Sequence, residues 1–328
     1  MAKYFFDYTL KTLEEICMLN AKPKFLAKQI YQWVYVKNVL DFHQMHNVSK
    51  ENQRWLTEMF TFEKICLKAQ KPKGDLIYLA IQVNQDTLYC TVNMQNNQPA
   101  WYVSLTKTCW THCDFCQSSS HEWTNSQILQ VLVVIQQTLK CKIQHIYLDT
   151  YFIDQLDLET FAVLIERFND AHGFNIGKRK INWLTNGWNF DYHEWIQKSL
   201  IIDILFKVYT IDPIVIQQVF PGLILKNQKM LQNMQAFSID SRNPINLYYY
   251  LIDSQNDSLE DLKQLKRFFE NQKIYINLIS TPKASTNKVM SKHLYNLVSI
   301  FANQIVIRQN NAFLDTLTCL QKENIFKK

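Results

Sequence analysis

The chain has 328 residues and a formal charge of +6, and its 47% hydrophobic and 20% charged residues give the balance of an ordinary globular protein. Only five glycines occur, although an average usage of roughly 7% would give about 23 in a chain of this length. The sequence therefore excludes a glycine-rich dinucleotide fingerprint, a Walker A loop and the nucleophile elbow of the hydrolases. The five glycines are Gly74, Gly173, Gly177, Gly187 and Gly222.

The positive charge is concentrated near the amino terminus. Between Lys22 and Asp75 the chain has ten basic and five acidic residues, an excess that accounts for nearly all of the net charge. Two interpretations have equal weight: a solvated helical face, and the footprint of a nucleic acid.

The first hundred residues predict a helical module followed by a small antiparallel sheet. Apolar residues recur at helical spacing between Phe25 and Leu40, and Ser49 is a candidate N-cap for the next helix. From residue 75 to 106, three short β-rich runs are separated by the polar segments NQD and QNNQP. This pattern is typical of antiparallel strands joined by turns.

From residue 126 onwards, strand patterns alternate with helical patterns of ten to fifteen residues. About six such units favour an α/β fold with a partial (β/α)6 barrel rather than a complete eightfold barrel. We expect four regions: a helical, RNA-binding-like module (1–72), a β extension (73–100), the partial barrel (101–310) and a C-terminal segment (311–328).

Three of the eight cysteines, Cys109, Cys113 and Cys116, form a C-x3-C-x2-C motif between the predicted first barrel strand and the next helix. Three thiolates suit a [4Fe–4S] cluster with one open iron. A zinc site stays open as an alternative, because zinc takes four ligands and His112 would supply the fourth. The spacing, with the aromatic Phe115 before the last cysteine, resembles the radical S-adenosylmethionine (SAM) superfamily, in which the open iron binds SAM for reductive cleavage.

Longer segments resemble one family within that superfamily, the RlmN/Cfr-type RNA adenine methyltransferases. The resemblance covers almost the whole chain, in the same order and spacing. It is carried by FLAKQIYQWVYVKNVLDFHQMHNVSK (25–50), GFNIGKRKINWLTNG (173–187), YYYLIDSQND (248–257), IYINLI (274–279) and IRQNNAFLDTLTCLQ (307–321).

The resemblance implies methylation of carbon 2 of an adenine in 23S rRNA, and in tRNA as an open alternative. Cys109, Cys113 and Cys116 match the cluster ligands, and Asn277 matches an asparagine that binds SAM. Cys319, eleven residues after Arg308, matches the thiol that carries the methyl group to the RNA. The family also implies an electron donor such as flavodoxin or ferredoxin, and we expect a monomer.

Several family positions hold other residues here. Tyr102 stands seven residues before Cys109, where the family has a second cysteine that resolves the protein–RNA adduct, and Tyr89 replaces a glutamate. Tyr151 and Phe152 replace the Gly-Glu of a SAM-binding motif, and Leu184 replaces a serine. The absence of the second cysteine predicts that turnover stops at the covalent RNA adduct.

Three functions therefore stay open: an RlmN-like methyltransferase, a radical SAM enzyme with different chemistry, and a catalytically degenerate RNA- or ribosome-binding relative. We expect RNA to contact the basic N-terminal module and Lys178-Arg179-Lys180. The first residues lack an apolar signal-peptide region, and no apolar run approaches 18 residues. These features predict no membrane span, reduced cysteines and a cytoplasmic location.

Overall fold

The computed structural model describes residues 3–105, 122–150, 153, 156–198, 201–212, 214–216, 224–240, 245–251, 256, 258–270, 274–280 and 305–309. The described residues form two compact units. The first unit comprises residues 3–105, 122–147 and 157–181, and the second unit comprises the others. The domain boundaries expected from the sequence stay a prediction.

The first unit begins with the predicted helical module. Its elements are β1 (Lys3–Tyr4), α1 (Leu10–Leu19), α2 (Lys24–Tyr35), α3 (Lys50–Met59) and β2 (Phe60–Thr61). Ser49 is the N-cap of α3, as predicted, since its side chain accepts a hydrogen bond from the backbone N–H of Asn52. The core is aromatic: the ring centroid of Phe62 lies 5.0 Å from that of Phe42 and 5.6 Å from that of Phe5.

Four antiparallel strands follow in chain order, each paired with the next: β3 (Ile65–Lys73), β4 (Leu76–Val83), β5 (Asp86–Asn93) and β6 (Ala100–Ser104). The sequence did not predict β3. Its second half, with Lys71, Pro72 and Lys73, is exposed and has little strand propensity. Lysine and proline are typical of an edge strand, where they discourage pairing with other chains.

Two longer helices complete the first unit. The first, α4 (Asn125–Leu139), begins with a capping box in which Thr124 and Gln127 exchange side-chain and backbone hydrogen bonds. The strand β7 (His145–Asp149) follows, and then α5 (Leu158–Asn169), whose N-cap is Asp157.

The second unit consists of parallel strands alternating with helices. Its elements from β8 onwards, of which Ile181 still belongs to the first unit, are β8 (Ile181–Thr185), α6 (Tyr192–Gln197), β9 (Asp203–Val208), α7 (Ile224–Asp240), β10 (Ile245–Leu251), α8 (Leu259–Phe268), β11 (Ile274–Ser280) and β12 (Ile305–Gln309). Each strand from β8 to β12 pairs in parallel with the next. The predicted α/β class is therefore confirmed.

Among the described residues, no helix combines the length and the apolar character that crossing a bilayer requires.

Gly187, directly after β8, supplies a test of the packing in the second unit. Its φ is +83°, and an added Cβ would lie 3.1 Å from Met230 Cγ and 3.2 Å from the Phe206 ring. We expect Gly187→Ala to lower the free energy of unfolding by about 1–3 kcal/mol, because left-handed backbone and crowding both disfavour a side chain. Urea titration followed by circular dichroism measures this change.

Gly177→Ala is the matched control. Gly177 has a φ of −57°, and no atom lies within 4 Å of an added Cβ. The control should be neutral or stabilising by up to about 1 kcal/mol, since alanine restricts the unfolded chain. Equal losses in both variants would contradict the packing argument.

Candidate functional site

One face of the parallel strands in the second unit carries buried polar side chains. Lys207 of β9 is in register with Tyr248 of β10, and Tyr248 is in register with Asn277 of β11. Residues in register on neighbouring strands project to the same face of a sheet. The three side chains, which we name the polar row, are only 3%, 7% and 5% exposed.

The opposite face of the same strands is apolar. Phe206, Leu247 and Ile276 form the adjacent register row, and all three are fully buried. The Phe206 ring centroid lies 5.7 Å from that of Phe237, which belongs to α7. The helix therefore covers the apolar face, and the polar row lies on the face turned away from it.

A buried ion pair joins the polar row to the end of β7. Lys207 Nζ donates a hydrogen bond to Oδ2 of Asp149, and the Asp149 side chain is inaccessible to solvent. Removing two such charges from water costs several kcal/mol per ion, so a buried pair contributes little net stability. Because ligands of parallel α/β folds bind beyond the carboxyl ends of the strands, the location of the pair favours a functional role.

The turn after β8 is a separate, rigid network. The Asn186 side chain accepts hydrogen bonds from the backbone N–H groups of Trp188 and Asn189, at 2.9 and 3.2 Å. Asn233 of α7 donates to the carbonyl oxygens of Gly187 and Phe190, at 2.8 and 2.9 Å. These amides hold the backbone of the turn in place, which indicates a structural role.

Thr150 connects this turn to the end of β7. Trp183 Nε1 donates to its hydroxyl over 2.7 Å, and Asn189 Nδ2 donates to its carbonyl oxygen over 3.0 Å. Sequence reasoning missed Thr150, Asn189 and Asn233. The Asn186-Gly187 dipeptide was the available signal, since it marks a turn after a strand.

Of the predicted site residues, the structure describes Asn277 alone. Its Nδ2 donates a hydrogen bond to the carbonyl oxygen of Leu247 over 3.1 Å, which orients the amide within the polar row. The predicted cluster ligands Cys109, Cys113 and Cys116 and the predicted methyl carrier Cys319 lie outside the described residues.

Four other cysteines are described, and no disulfide bond joins any two of them. They are Cys17, Cys66, Cys90 and Cys141. Within the described ranges, no three His, Cys, Asp or Glu side chains are placed to hold a metal ion together. The described part of the chain thus offers no competing set of cluster ligands.

The strand register shows which residues share a face with Tyr102. Thr91 pairs with Tyr102, and Cys90 pairs with Val103. Because side chains alternate along a strand, Tyr89 and Tyr102 project to one face and Cys90 to the other. Cys90 therefore faces away from the position of Tyr102, where the family resemblance places the second cysteine.

Comparisons with known proteins agree with the resemblance found in the sequence. Residues 5–61 match the family described as "Ribosomal RNA large subunit methyltransferase N-terminal domain". The chain is 22% identical over 287 residues to a probable dual-specificity RNA methyltransferase RlmN of Spiroplasma citri, covering 84% of this chain and 82% of that protein. It is 24% identical over 299 residues to the dual-specificity RNA methyltransferase RlmN of Aliarcobacter butzleri (strain RM4018), covering 84% and 81%.

A solved structure shares the fold. The crystal structure of a radical SAM methyltransferase from Sphaerobacter thermophilus superposes with a TM-score of 0.81 at 16% sequence identity, covering 97% of this chain and 98% of that chain. Residues 5–61 and the two relatives thus agree with the RlmN-type resemblance that the sequence segments predicted, and the solved structure shows the same fold.

The buried ion pair is testable by a double-mutant cycle. We expect Asp149→Asn and Lys207→Met each to lower the free energy of unfolding by about 3–5 kcal/mol, because each leaves the other charge buried without this partner. The double variant should cost clearly less than the sum of the two single changes. Chemical denaturation of all four proteins measures the coupling, and strictly additive losses would contradict a direct interaction.

Proposed function

We propose that this protein, whose similarities support an RlmN-type family, is an RlmN-like radical SAM methyltransferase that methylates carbon 2 of an adenine in RNA. The substrate is 23S rRNA, and tRNA is a second candidate that the assay below includes. The observation that carries the proposal is the C-x3-C-x2-C motif, which stands in the chain between β6 and α4, within a sequence similarity that spans more than four fifths of the chain.

The donor set of the motif fits the cofactors of this chemistry. Three cysteine thiolates at this spacing suit a [4Fe–4S] cluster with one open iron. When bound, the cluster and SAM supply a 5′-deoxyadenosyl radical. Methylation of carbon 2 of adenine requires radical chemistry because this carbon is a poor nucleophile. Cys109, Cys113 and Cys116 hold the cluster in this proposal, and flavodoxin or ferredoxin supplies the electron.

The polar row supplies the binding side of the site. Asn277, buried and oriented by its bond to the Leu247 carbonyl, is placed to hydrogen-bond polar groups of SAM. The Asp149–Lys207 pair adds a fixed dipole where the dielectric constant is low and interactions with a charged ligand are strong. The sheet keeps water away from these groups, since each is less than a tenth exposed.

Cys319 is the methyl-carrying thiol in this proposal. The reaction is incomplete because Tyr102 stands where the family has the cysteine that resolves the protein–RNA adduct. A phenol hydroxyl does not replace a thiol that attacks a sulfur or carbon centre at neutral pH. Turnover therefore stops with the RNA attached covalently to the protein. We further propose that the protein acts as a monomer in the cytoplasm.

The decisive experiment uses the anaerobically purified full chain, reconstituted with iron and sulfide. We expect cleavage of SAM to 5′-deoxyadenosine, together with a covalent protein–RNA band on a denaturing gel with 23S rRNA or tRNA fragments. Cys319→Ser should keep the cluster absorbance and lose the band, because the methyl carrier is absent. Cys66→Ser is the matched control, since Cys66 is an exposed thiol on β3.

The outcomes separate the three functions. Failure to form a cluster or cleave SAM would leave the RNA-binding relative as the better interpretation. Cleavage of SAM without modified adenine or adduct would favour a radical SAM enzyme with different chemistry. Formation of the band by Cys319→Ser would contradict the assigned methyl carrier.

Tyr102→Cys tests the origin of the incomplete reaction. We expect the new thiol to release the adduct and to yield free 2-methyladenine in RNA. Tyr102→Ser is the matched control, because both changes remove the same buried ring at a stability cost of about 3–5 kcal/mol. Release by both variants, or by neither at a temperature where both are folded, would show that a missing thiol is not the cause.

A further inference from the structure

The first unit contains a cavity that the methyltransferase chemistry does not use. It has a volume of about 410 Å³ and is lined by residues 35–39, 136–137, 140–142 and 173–174. This size is within the range of small-ligand sites, roughly 300–1,000 Å³. It lies where α2 and α4 end, and we name it the lysine cavity after Lys37, Lys140 and Lys142.

The three lysines give the cavity positive charge that the protein does not neutralise. None of the residues that line it is an aspartate or a glutamate. Across the described ranges, no carboxylate forms an ion pair with Lys37, Lys140 or Lys142. The Lys37 Nζ lies 3.7 Å from the centroid of the Trp33 ring, which holds the ammonium group near the cavity by a cation–π contact.

Stabilisation of helix ends does not account for three lysines. Lysine near a helix C-terminus interacts favourably with the last carbonyl groups, which carry roughly half a negative charge per helix. The ends of α2 and α4 thus offset about one of the three positive charges. The cavity therefore keeps a clear excess of positive charge.

The wall of the cavity is fixed before any ligand arrives. Gln136 Nε2 donates to Asn38 Oδ1 over 2.9 Å, which connects α4 to the segment after α2. Gln136 Oε1 accepts from the backbone N–H of Ile143, also over 2.9 Å. A pre-organised wall lowers the entropy that a ligand must lose on binding.

Another cation lies behind this wall. Arg167, which is 6% exposed, donates to the hydroxyl of Tyr35, a residue that lines the cavity. Its Nε has no hydrogen-bond acceptor in the part of the chain that the structure describes. The nearest acid in this network is Asp170, which accepts a 2.6 Å hydrogen bond from Tyr31 and offsets part of the arginine charge.

We propose that the lysine cavity binds phosphate groups of the RNA, as a contact separate from the reaction site. The inference rests on the proposed function only in taking RNA as the substrate. Lysine ammonium groups bind phosphate as point charges without requiring one fixed geometry, which suits a flexible phosphodiester backbone. The side-chain amides of Gln137 and Asn38, which also line the cavity, can hydrogen-bond the ribose of the RNA.

The test measures RNA affinity of the full chain by fluorescence anisotropy with a labelled RNA hairpin between 50 and 200 mM KCl. In the cavity variant, the three cavity lysines become glutamine. In the matched control, three exposed lysines on α7 and α8, which lie outside the N-terminal module and do not line the cavity, become glutamine: K229Q, K263Q and K266Q. Both variants lose the same charge, and their melting temperatures report whether they are folded.

We expect the cavity variant to bind at least about tenfold more weakly at 100 mM KCl. Its slope of log affinity against log salt should be shallower by about 2, since each phosphate contact contributes roughly 0.7–0.9 to that slope. The control should change affinity by less than about threefold, because exposed charges outside the contact are screened.

Other results would overturn the proposal. An equal loss of RNA affinity in both variants would show that a diffuse positive field, and not a site, attracts the RNA. Unchanged RNA affinity in the cavity variant would contradict the site, and so would a lack of RNA binding by the unmodified protein. Calorimetry with inorganic phosphate provides a second arm. If phosphate binding requires the three lysines but RNA affinity does not, the cavity is a site for free phosphate, and the RNA contact is contradicted.

A chemical footprint localises the contact. Cys141 lines the cavity and is partly exposed, and burial raises the pKa of its thiol, so labelling with N-ethylmaleimide is best done at pH 8. RNA should slow the labelling of Cys141 but not of the exposed Cys66, and this protection should vanish in the cavity variant. Protection of Cys141 that persists without the three lysines would contradict the proposal.

The two proposals fail separately. If the protein methylates RNA or forms the adduct, but the cavity variant binds RNA as tightly as the unmodified protein, the lysine cavity is refuted and the enzymatic function stands. Lysine-dependent RNA binding and Cys141 protection without SAM cleavage would refute the enzymatic function and leave the cavity.

Discussion

The second unit depends on the register of its parallel strands. In-register pairing of β9, β10 and β11 places Lys207, Tyr248 and Asn277 on one face and leaves an apolar row for the helix on the other. A shift of one residue in β9 would exchange its two faces and press the Lys207 charge against α7. The edge-to-face contact of Phe206 with Phe237 and the buried ion pair therefore reinforce the same register.

Among the described residues, each unit buries one cation, and the partners of the two cations differ. In the second unit Lys207 has a carboxylate partner, so the charge is nearly balanced within the protein. In the first unit Arg167 bonds to the phenol of Tyr35, while Asp170 is engaged by Tyr31. The cation of the first unit is thus compensated less directly than that of the second, which agrees with the phosphate contact proposed for the first unit.

Sequence patterns predicted most helices and strands because they report local burial. The alternation after residue 126 corresponds to the parallel strands, and the Ser49 cap begins α3. Strand β3 escaped prediction because an edge strand carries lysine and proline where a central strand would carry apolar residues. Of the site, Asn277 came from family resemblance, whereas Asp149 and Thr150 gave no pattern of their own.

The sequence by itself determined the order of the elements, the thiol spacing of Cys109, Cys113 and Cys116, and the family resemblance, since these depend on residues close together in the chain or on their order. Only the tertiary structure decided which distant residues meet. Asp149 and Lys207 are 58 residues apart, and Lys37 and Lys140 line one cavity, where Gln136 of α4 bonds to Asn38 after α2. Contacts between residues far apart in the chain follow from strand register and helix packing. The local sequence pattern limits these arrangements but does not specify them.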